Sequence, residues 1–341
     1  MKALVLSAHG DTSGLELREV PTPRPAAHEV LVRLEASGVN HMDVLVRRGY
    51  PGIPVTLPHI LGGDVVGTIT EVGAGVTGRR VGERVVAAPV SGCGACELCR
   101  EGRRSLCLSW QYLGFHRPGG HAEFCCVPAE DAVPLPAHVD AAAAAALPVA
   151  GLTAFHAIHG VGALKRGQTL FLWGGTGAMG SMTVQIARAA GLRTFVTASS
   201  ESRRALALEL GAELALDPKD PELDAKVRAK SPNGVDAVLD FIGAETFAKS
   251  FNLVKKGGQL LLCGMIGGRE APFSIHQAYL RHLSVKGLYL GSREELEALV
   301  ALVAKGEVKP HVGARLPLAR AADGHHLLER RESVGKIALL P

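Results

Sequence analysis

The stretch from Thr169 to Ala198 constrains the fold more than any other. Leu170-Phe171-Leu172-Trp173 is a short apolar run suited to a buried parallel strand, and it runs straight into Gly174-Gly175-Thr176-Gly177-Ala178-Met179-Gly180. From Ser181 to Gly191, Met182, Ile186 and Ala189 or Ala190 recur at helical spacing, and Thr194-Phe195-Val196-Thr197 reads as a second strand. A strand, a glycine turn, a helix and a strand give Gly175-x-Gly177-x-x-Gly180 a mechanism. Glycines permit a tight turn and close backbone approach, so that a pyrophosphate can sit on the helix N-terminus. The competing reading is an ordinary glycine-rich turn, and the correct flanking elements favour dinucleotide binding.

The end of the second strand bears on which dinucleotide is bound. NAD sites usually carry Asp or Glu about twenty residues past the glycines, on the ribose 2′-hydroxyl. Here Ala198 is followed by Ser199-Ser200-Glu201-Ser202-Arg203-Arg204. A neutral strand end with hydroxyls and two arginines suits a 2′-phosphate, so NADP(H) is expected over NAD(H), with Ser199, Ser200 and Arg203 as contacts. Arginines on a solvated helix face are the alternative.

At 341 residues the chain has length for two buried cores. With 47% hydrophobic and 21% charged residues it reads as globular, and a net charge of +4 without a dense basic block implies neither nucleic acid nor membrane partners. Met1 to Leu6 is too short for a signal-peptide core, and no uninterrupted apolar run approaches a membrane span, so a cytoplasmic location is expected. Seven cysteines, an odd number, fit a reducing compartment better than a disulfide framework.

Residues 2–88 are β-rich. Val30 to Leu34, Val65 to Val72 and Arg84 to Ala87 are expected as short strands of a small barrel or rolled sheet. Two polar loops are expected between them, Ser37 to Asp43 and Pro58 to Asp64. Cys93-x-x-Cys96-x-x-Cys99 is followed, after seven intervening residues, by Cys107. Four thiolates this close can make a closed tetrahedral zinc site that crosslinks a loop poor in apolar residues. Free thiols or an iron–sulfur cluster are the other readings, although the ferredoxin spacing and its proline are missing. A fully cysteinyl site keeps no open position, so this metal is expected to be structural. Cys125, Cys126 and Cys263 sit in apolar settings and read as small buried residues. His156 and His159 share one helix face with no third ligand evident.

Past Gly180, Val235 to Asp240 and Gln259 to Cys263 read as further buried strands alternating with helices, which gives a doubly wound parallel sheet. Ligands of such sheets bind at the strands' carboxyl ends, nominating Phe241, Ile242, Cys263 and Gly264 beside the cofactor. A helix at Glu294 to Ala304 and short strands to Pro341 are expected to return to the first domain.

Together these features resemble the medium-chain dehydrogenase/reductase superfamily over essentially the whole chain, and the cysteine lobe is that of the zinc alcohol dehydrogenases. The resemblance implies a GroES-like catalytic domain at 1–146 with the zinc lobe at 93–107. It also implies a Rossmann domain at 147–287, a return at 288–341, and one structural zinc. The family's catalytic zinc ligands do not carry over. Its Cys, His and Cys positions are here Asn40, Gly63 and Val149, and the proton-relay hydroxyl is Met42. Gly38-Val39-Asn40 and Gly62-Gly63-Asp64 look instead like the quinone oxidoreductase branch, which uses NADPH and no catalytic metal.

The resemblance therefore implies an NADPH-dependent reductase of a quinone, enone or carbonyl substrate. Asn40 is expected near the nicotinamide, His41 as a proton donor or a loop histidine bonded to backbone, and Tyr50, Asp64 and Thr153 along the pocket. Gly335-Lys336 matches a position whose basic residue approaches the cofactor phosphates, with a surface lysine as the alternative. Two other functions stay open: an alcohol dehydrogenase using a rearranged zinc site, and a non-catalytic NADPH-binding redox sensor. Family members are commonly homodimers or homotetramers, often paired through the nucleotide domain.

Overall fold

Glycine and proline punctuate the apolar runs into eighteen strands in a computed structural model that describes residues 1–50 and 54–341. In chain order these are β1 (Lys2–Leu6), β2 (Leu15–Glu19), β3 (Glu29–Val39), β4 (His59–Ile60), β5 (Val66–Val72), β6 (Arg84–Ala87), β7 (Val90–Ser91), β8 (Gln111–Tyr112), β9 (Phe124–Pro128) and β10 (Ala132–Pro134). They continue with β11 (Thr169–Leu172), β12 (Arg193–Thr197), β13 (Leu214–Leu216), β14 (Val235–Asp240), β15 (Val254–Leu262), β16 (Ser284–Gly287), β17 (Val312–Pro317) and β18 (Lys336–Leu340).

The chain divides into two units, Met1–Leu152 with Ser292–Pro341, and Thr153–Gly291. In the first unit a seven-stranded sheet runs β10-β6-β5-β3-β18-β17, with β9 also paired to β3. Its core is aliphatic: Val30, Val32, Val65, Ile69, Val85 and Val127 are all buried. The last strand, β18, pairs antiparallel with the end of β3, in the register Ile337↔Val39 and Ala338↔Gly38. That register sets residue 336 beside residue 40.

In the second unit a parallel sheet has the order β13-β12-β11-β14-β15-β16. Chain order reverses direction beside β11, so the turn after β11 opens at the switch point where such sheets bind ligands. Phe171, Phe195, Val235 and Val238 form its core.

One expectation is corrected. The segment Ser37 to Asp43 is not a loop: β3 runs to Val39 and a helix begins at His41 (His41–Arg48), with Asn40 as its N-cap. The capping signal was present, because Asp43 stands at the third helical position and accepts from the Asn40 amide at 2.7 Å. A long apolar segment also exists. Ala141–Val161 is helical with a mean hydropathy of 1.6, yet 78% of that window is buried inside the protein, as in a core helix.

Candidate active site

Four residues from four chain segments meet at the end of β3. The Lys336 ammonium donates to Asp64 Oδ2 at 2.5 Å and to Asn40 Oδ1 at 2.8 Å. Asn40 Nδ2 donates to the same Asp64 oxygen at 2.7 Å, and the other Asp64 oxygen accepts from the Val149 amide at 3.0 Å. Lys336 and Asp64 are fully buried, whereas Asn40 keeps 8% of its surface exposed. Two residues hold this frame. Ser37 donates to the Asp64 carbonyl at 2.7 Å, and Asp43 accepts from the amides of Asn40 and Gly62. Burial pushes the Asp43 carboxyl above its ordinary pKa.

Three expectations change here. Lys336 is not directed at cofactor phosphates or at solvent; its ammonium is spent on Asp64, Asn40 and the Val39 carbonyl. Asp64 underlies the site and does not line it, being wholly enclosed. His41 opens the helix His41–Arg48, and burial, with the charges of Arg331 and Lys336, lowers its pKa to about 4. It is therefore neutral at pH 7 and no imidazolium acid. Tyr50 packs its ring 5.2 Å from that of Phe115. Thr153 is buried in a short helix of the second unit.

The donor set at positions 40, 63 and 149 does not fit a catalytic zinc. The Asn40 carbonyl and both Asp64 oxygens are already committed, and Val149 offers no side-chain ligand. A Cβ on Gly63 would lie 2.4 Å from the Tyr112 hydroxyl, so the place of a second ligand is filled by that phenol. The cysteine lobe does fit zinc. The sulfurs of Cys93, Cys96, Cys99 and Cys107 all lie within 4.8 Å of one another, the only such metal-capable group among the described residues. Backbone amides donate to the sulfurs, from Cys96 to Cys93 at 3.4 Å and from Cys93 and Ser109 to Cys107 at 3.3 Å. Those of Ala95 and Cys96 lower the Cys93 thiol to about 6, whereas burial pushes the Cys99 thiol up to about 12.

In the second unit, Gly174 has φ +73° and its amide donates to Thr197 Oγ1 at 3.0 Å, which makes the sharp exit from β11. A Cβ on Gly180 would meet the Gly174 carbonyl at 1.9 Å, so the helix Ala178–Ala189 seats against the turn only with glycine there. Gly177 caps that helix and a Cβ on it would meet nothing within 4 Å, so the turn is open at Gly177, Ala178 and Met179 are partly exposed beside it, and Gly175 and Thr176 are buried, Gly175 against Val196. The Phe241 ring lies over Gly174, and Gly264 packs on the Phe241 carbonyl, while Ile242 and Cys263 are their neighbours in sequence. Burial pushes the Cys263 thiol up, which makes it an unreactive neighbour. Ser200 caps the helix Glu201–Leu210, accepting from the Arg203 amide at 3.3 Å, while Arg204 is tied back to the Ala198 carbonyl at 3.1 Å and to Asp217. The residue at the ribose position is the buried, uncharged Ala198.

Residues 26–137 match the Alcohol dehydrogenase GroES-like domain family and residues 178–305 the Zinc-binding dehydrogenase family. An alcohol dehydrogenase of Geobacillus stearothermophilus is 33% identical over 99% of this chain and 97% of its own. The chain belongs to the zinc-type medium-chain dehydrogenase/reductase superfamily. A solved NAD-dependent alcohol dehydrogenase superposes with TM-score 0.94 at 36% identity, covering both chains fully. An acryloyl-coenzyme A reductase of Metallosphaera sedula is 28% identical over 99% of each chain. This superfamily member is an NAD(P)-dependent oxidoreductase with a GroES-like domain and a Rossmann-like parallel sheet. Sequence reasoning found Asn40, Asp64 and Lys336 but not their union. It missed Asp43, Tyr112 and Ser37, of which only Asp43 left a local signal.

Proposed function

We propose that this enzyme is an NADPH-dependent reductase of conjugated acceptors, namely quinones, enones or α,β-unsaturated thioesters. The observation that carries this reading is the Lys336–Asn40–Asp64 cluster standing where a catalytic zinc would need ligands. Reducing a simple aldehyde concentrates charge on one alkoxide oxygen, which a metal stabilises by several kcal/mol. Reduction of a conjugated acceptor spreads that charge, so hydrogen-bond donors suffice. NADPH, when bound, supplies the hydride. Asn40 presents its free Nδ2 hydrogen to the acceptor oxygen, and the neutral His41 imidazole offers a further hydrogen bond, leaving solvent to supply the proton. Tyr50 of the first unit and Thr153 of the second are further candidate substrate contacts. Ala198 with Ser199, Ser200 and Arg203 supports NADPH over NADH, since the strand-end position holds alanine where an NAD site usually sets a carboxylate on the ribose. The four-cysteine lobe holds one structural zinc.

Self-association through the edge strand β16 is supported by its exposed Val285 and by Ile275, Tyr279 and Leu280, which are 74%, 61% and 49% exposed nearby in the chain. We expect a homodimer or homotetramer.

The test measures zinc per chain and NADPH oxidation with 1,4-benzoquinone, crotonyl-coenzyme A and acetaldehyde. One zinc with conjugated-acceptor turnover is expected, and Asn40→Ala should lower kcat roughly 100-fold. Two zincs, with aldehyde turnover abolished by a chelator, would establish the alcohol dehydrogenase reading instead. Binding of NADPH without turnover of any acceptor would point to a sensor.

A further inference from the structure

We infer that Lys336 is a positioning residue whose ammonium fixes which end of the Asn40 amide faces the substrate. This rests on the reading of Asn40 as the donor to the acceptor oxygen. An asparagine amide has nearly the same shape in its two flipped orientations, so its partners decide which is adopted. An ammonium has three donors and no acceptor, and an ionised carboxylate only accepts. Lys336 lies 2.8 Å from Asn40 Oδ1, and Asp64 Oδ2 lies 2.7 Å from Asn40 Nδ2. Reversing the amide would set N–H against ammonium and carbonyl against carboxylate, so both partners oppose the flip.

One Nδ2 hydrogen is used on Asp64, and the second is the only strong donor Asn40 has left. An Asn40 held this way keeps one uncommitted Nδ2 hydrogen, and 8% of the residue's surface stays exposed. The fold is built to seat this lysine. The β18 register brings it beside Asn40 across 296 positions of sequence, and Gly38 clears its path, since a Cβ there would lie 2.1 Å from Lys336 Cε and 2.7 Å from Nζ. A buried ion pair gives little net stability but can enforce one arrangement of its neighbours.

Selective ¹⁵N-asparagine labelling tests this directly, because the only other asparagines are Asn233 and Asn252, both exposed. In the wild type, the Asn40 side-chain amide, identified by its loss in Asn40→Ala, should exchange with solvent at least tenfold more slowly than the other two. In Lys336→Met that protection should vanish and kcat with the better conjugated acceptor should fall at least tenfold, while the NADPH dissociation constant stays within twofold. Lys336→Met/Asp64→Asn removes both buried charges, and should give the same spectrum if the single variant does not fold. An unchanged Asn40 signal in the folded variant overturns the inference, as does an NADPH dissociation constant raised tenfold, which would mean a phosphate contact. If the wild type turns over no acceptor, the proposed function fails while the Asn40 spectrum still decides the role of Lys336.

Discussion

Gly38 shows how tightly a single residue can be bound to its chemistry. Its missing Cβ is the space through which the Lys336 side chain passes, with Asp64 Oδ2 only 2.5 Å from where that Cβ would stand. Overpacking a filled site costs about 1 to 3 kcal/mol, because neighbours must leave their preferred positions. Gly38→Ala should therefore lower stability by that amount, read from the midpoint of urea unfolding. It should also lower kcat, because the lysine cannot yield without releasing Asn40. A variant as stable and active as the wild type would show that the pair relaxes freely. Single residues were legible where chemistry shows in the residue type. Asn40, Gly63 and Val149 are visibly no set of zinc ligands, but nothing local announced the Lys336–Asp64 pair that meets Asn40 there. Lysine is almost never fully buried without a partner, and the partners of Lys336 lie nearly the length of the chain away.

At the scale of elements, the cysteine lobe depends most on something other than an apolar core. Residues 93–107 contain only a four-residue helix (Glu97–Arg100) and a short turn (Arg104–Leu106), too little regular structure to stand alone. Two interactions hold it: the four converging thiols and Arg104. Arg104 pairs with Glu130, one bond at 2.7 Å, and lies 3.7 Å from Asp131. Since structural zinc contributes folding free energy directly, removing it should release this segment first. Stripping with a chelator after thiolate-specific displacement should release one zinc per chain into a colorimetric indicator. Limited proteolysis should then cut within 93–107 before any other site. Cleavage elsewhere first would mean that the lobe is held without metal. The lobe, the glycine turn and the parallel strands were readable because each rests on local spacing. The helix His41–Arg48 was misread as loop because Gly38 and Asn40 mark a turn in isolation, while the bond from Asp43 back to Asn40 makes the same residues a helix start.

At the scale of the molecule, buried histidines set the acid limit of the first unit. Burial lowers His325 to about 3 and His41 to about 4, and lowers His59 as well; neither ring nitrogen of His325 has a hydrogen-bond partner. A histidine whose folded pKa lies below its unfolded value of about 6.5 binds its proton more readily when unfolded. Its contribution is thus complete above about pH 6.5 and is lost progressively as pH falls toward the folded pKa. The slope is about 1.4 kcal/mol per pH unit for each such group. Two acids oppose this. Asp131 is raised to about 6 and Asp43 is also raised, and such acids add stability as pH falls from 6 toward their unfolded range near 4. Between pH 6.5 and 6 the histidine losses begin before Asp131 begins to offset them, and four histidines of lowered pKa, His41, His59, His116 and His325, outnumber two raised acids below that. Stability, followed by urea unfolding from pH 7.5 to 5, should therefore decline toward acid. His325→Leu fills an apolar site without the unpartnered nitrogens, so it should flatten the decline by close to one proton's slope while leaving stability at pH 7.5 unchanged or higher. A decline identical to that of the wild type would mean that His325 takes up its proton in the folded state, and that His41, His59 and His116 carry the acid sensitivity.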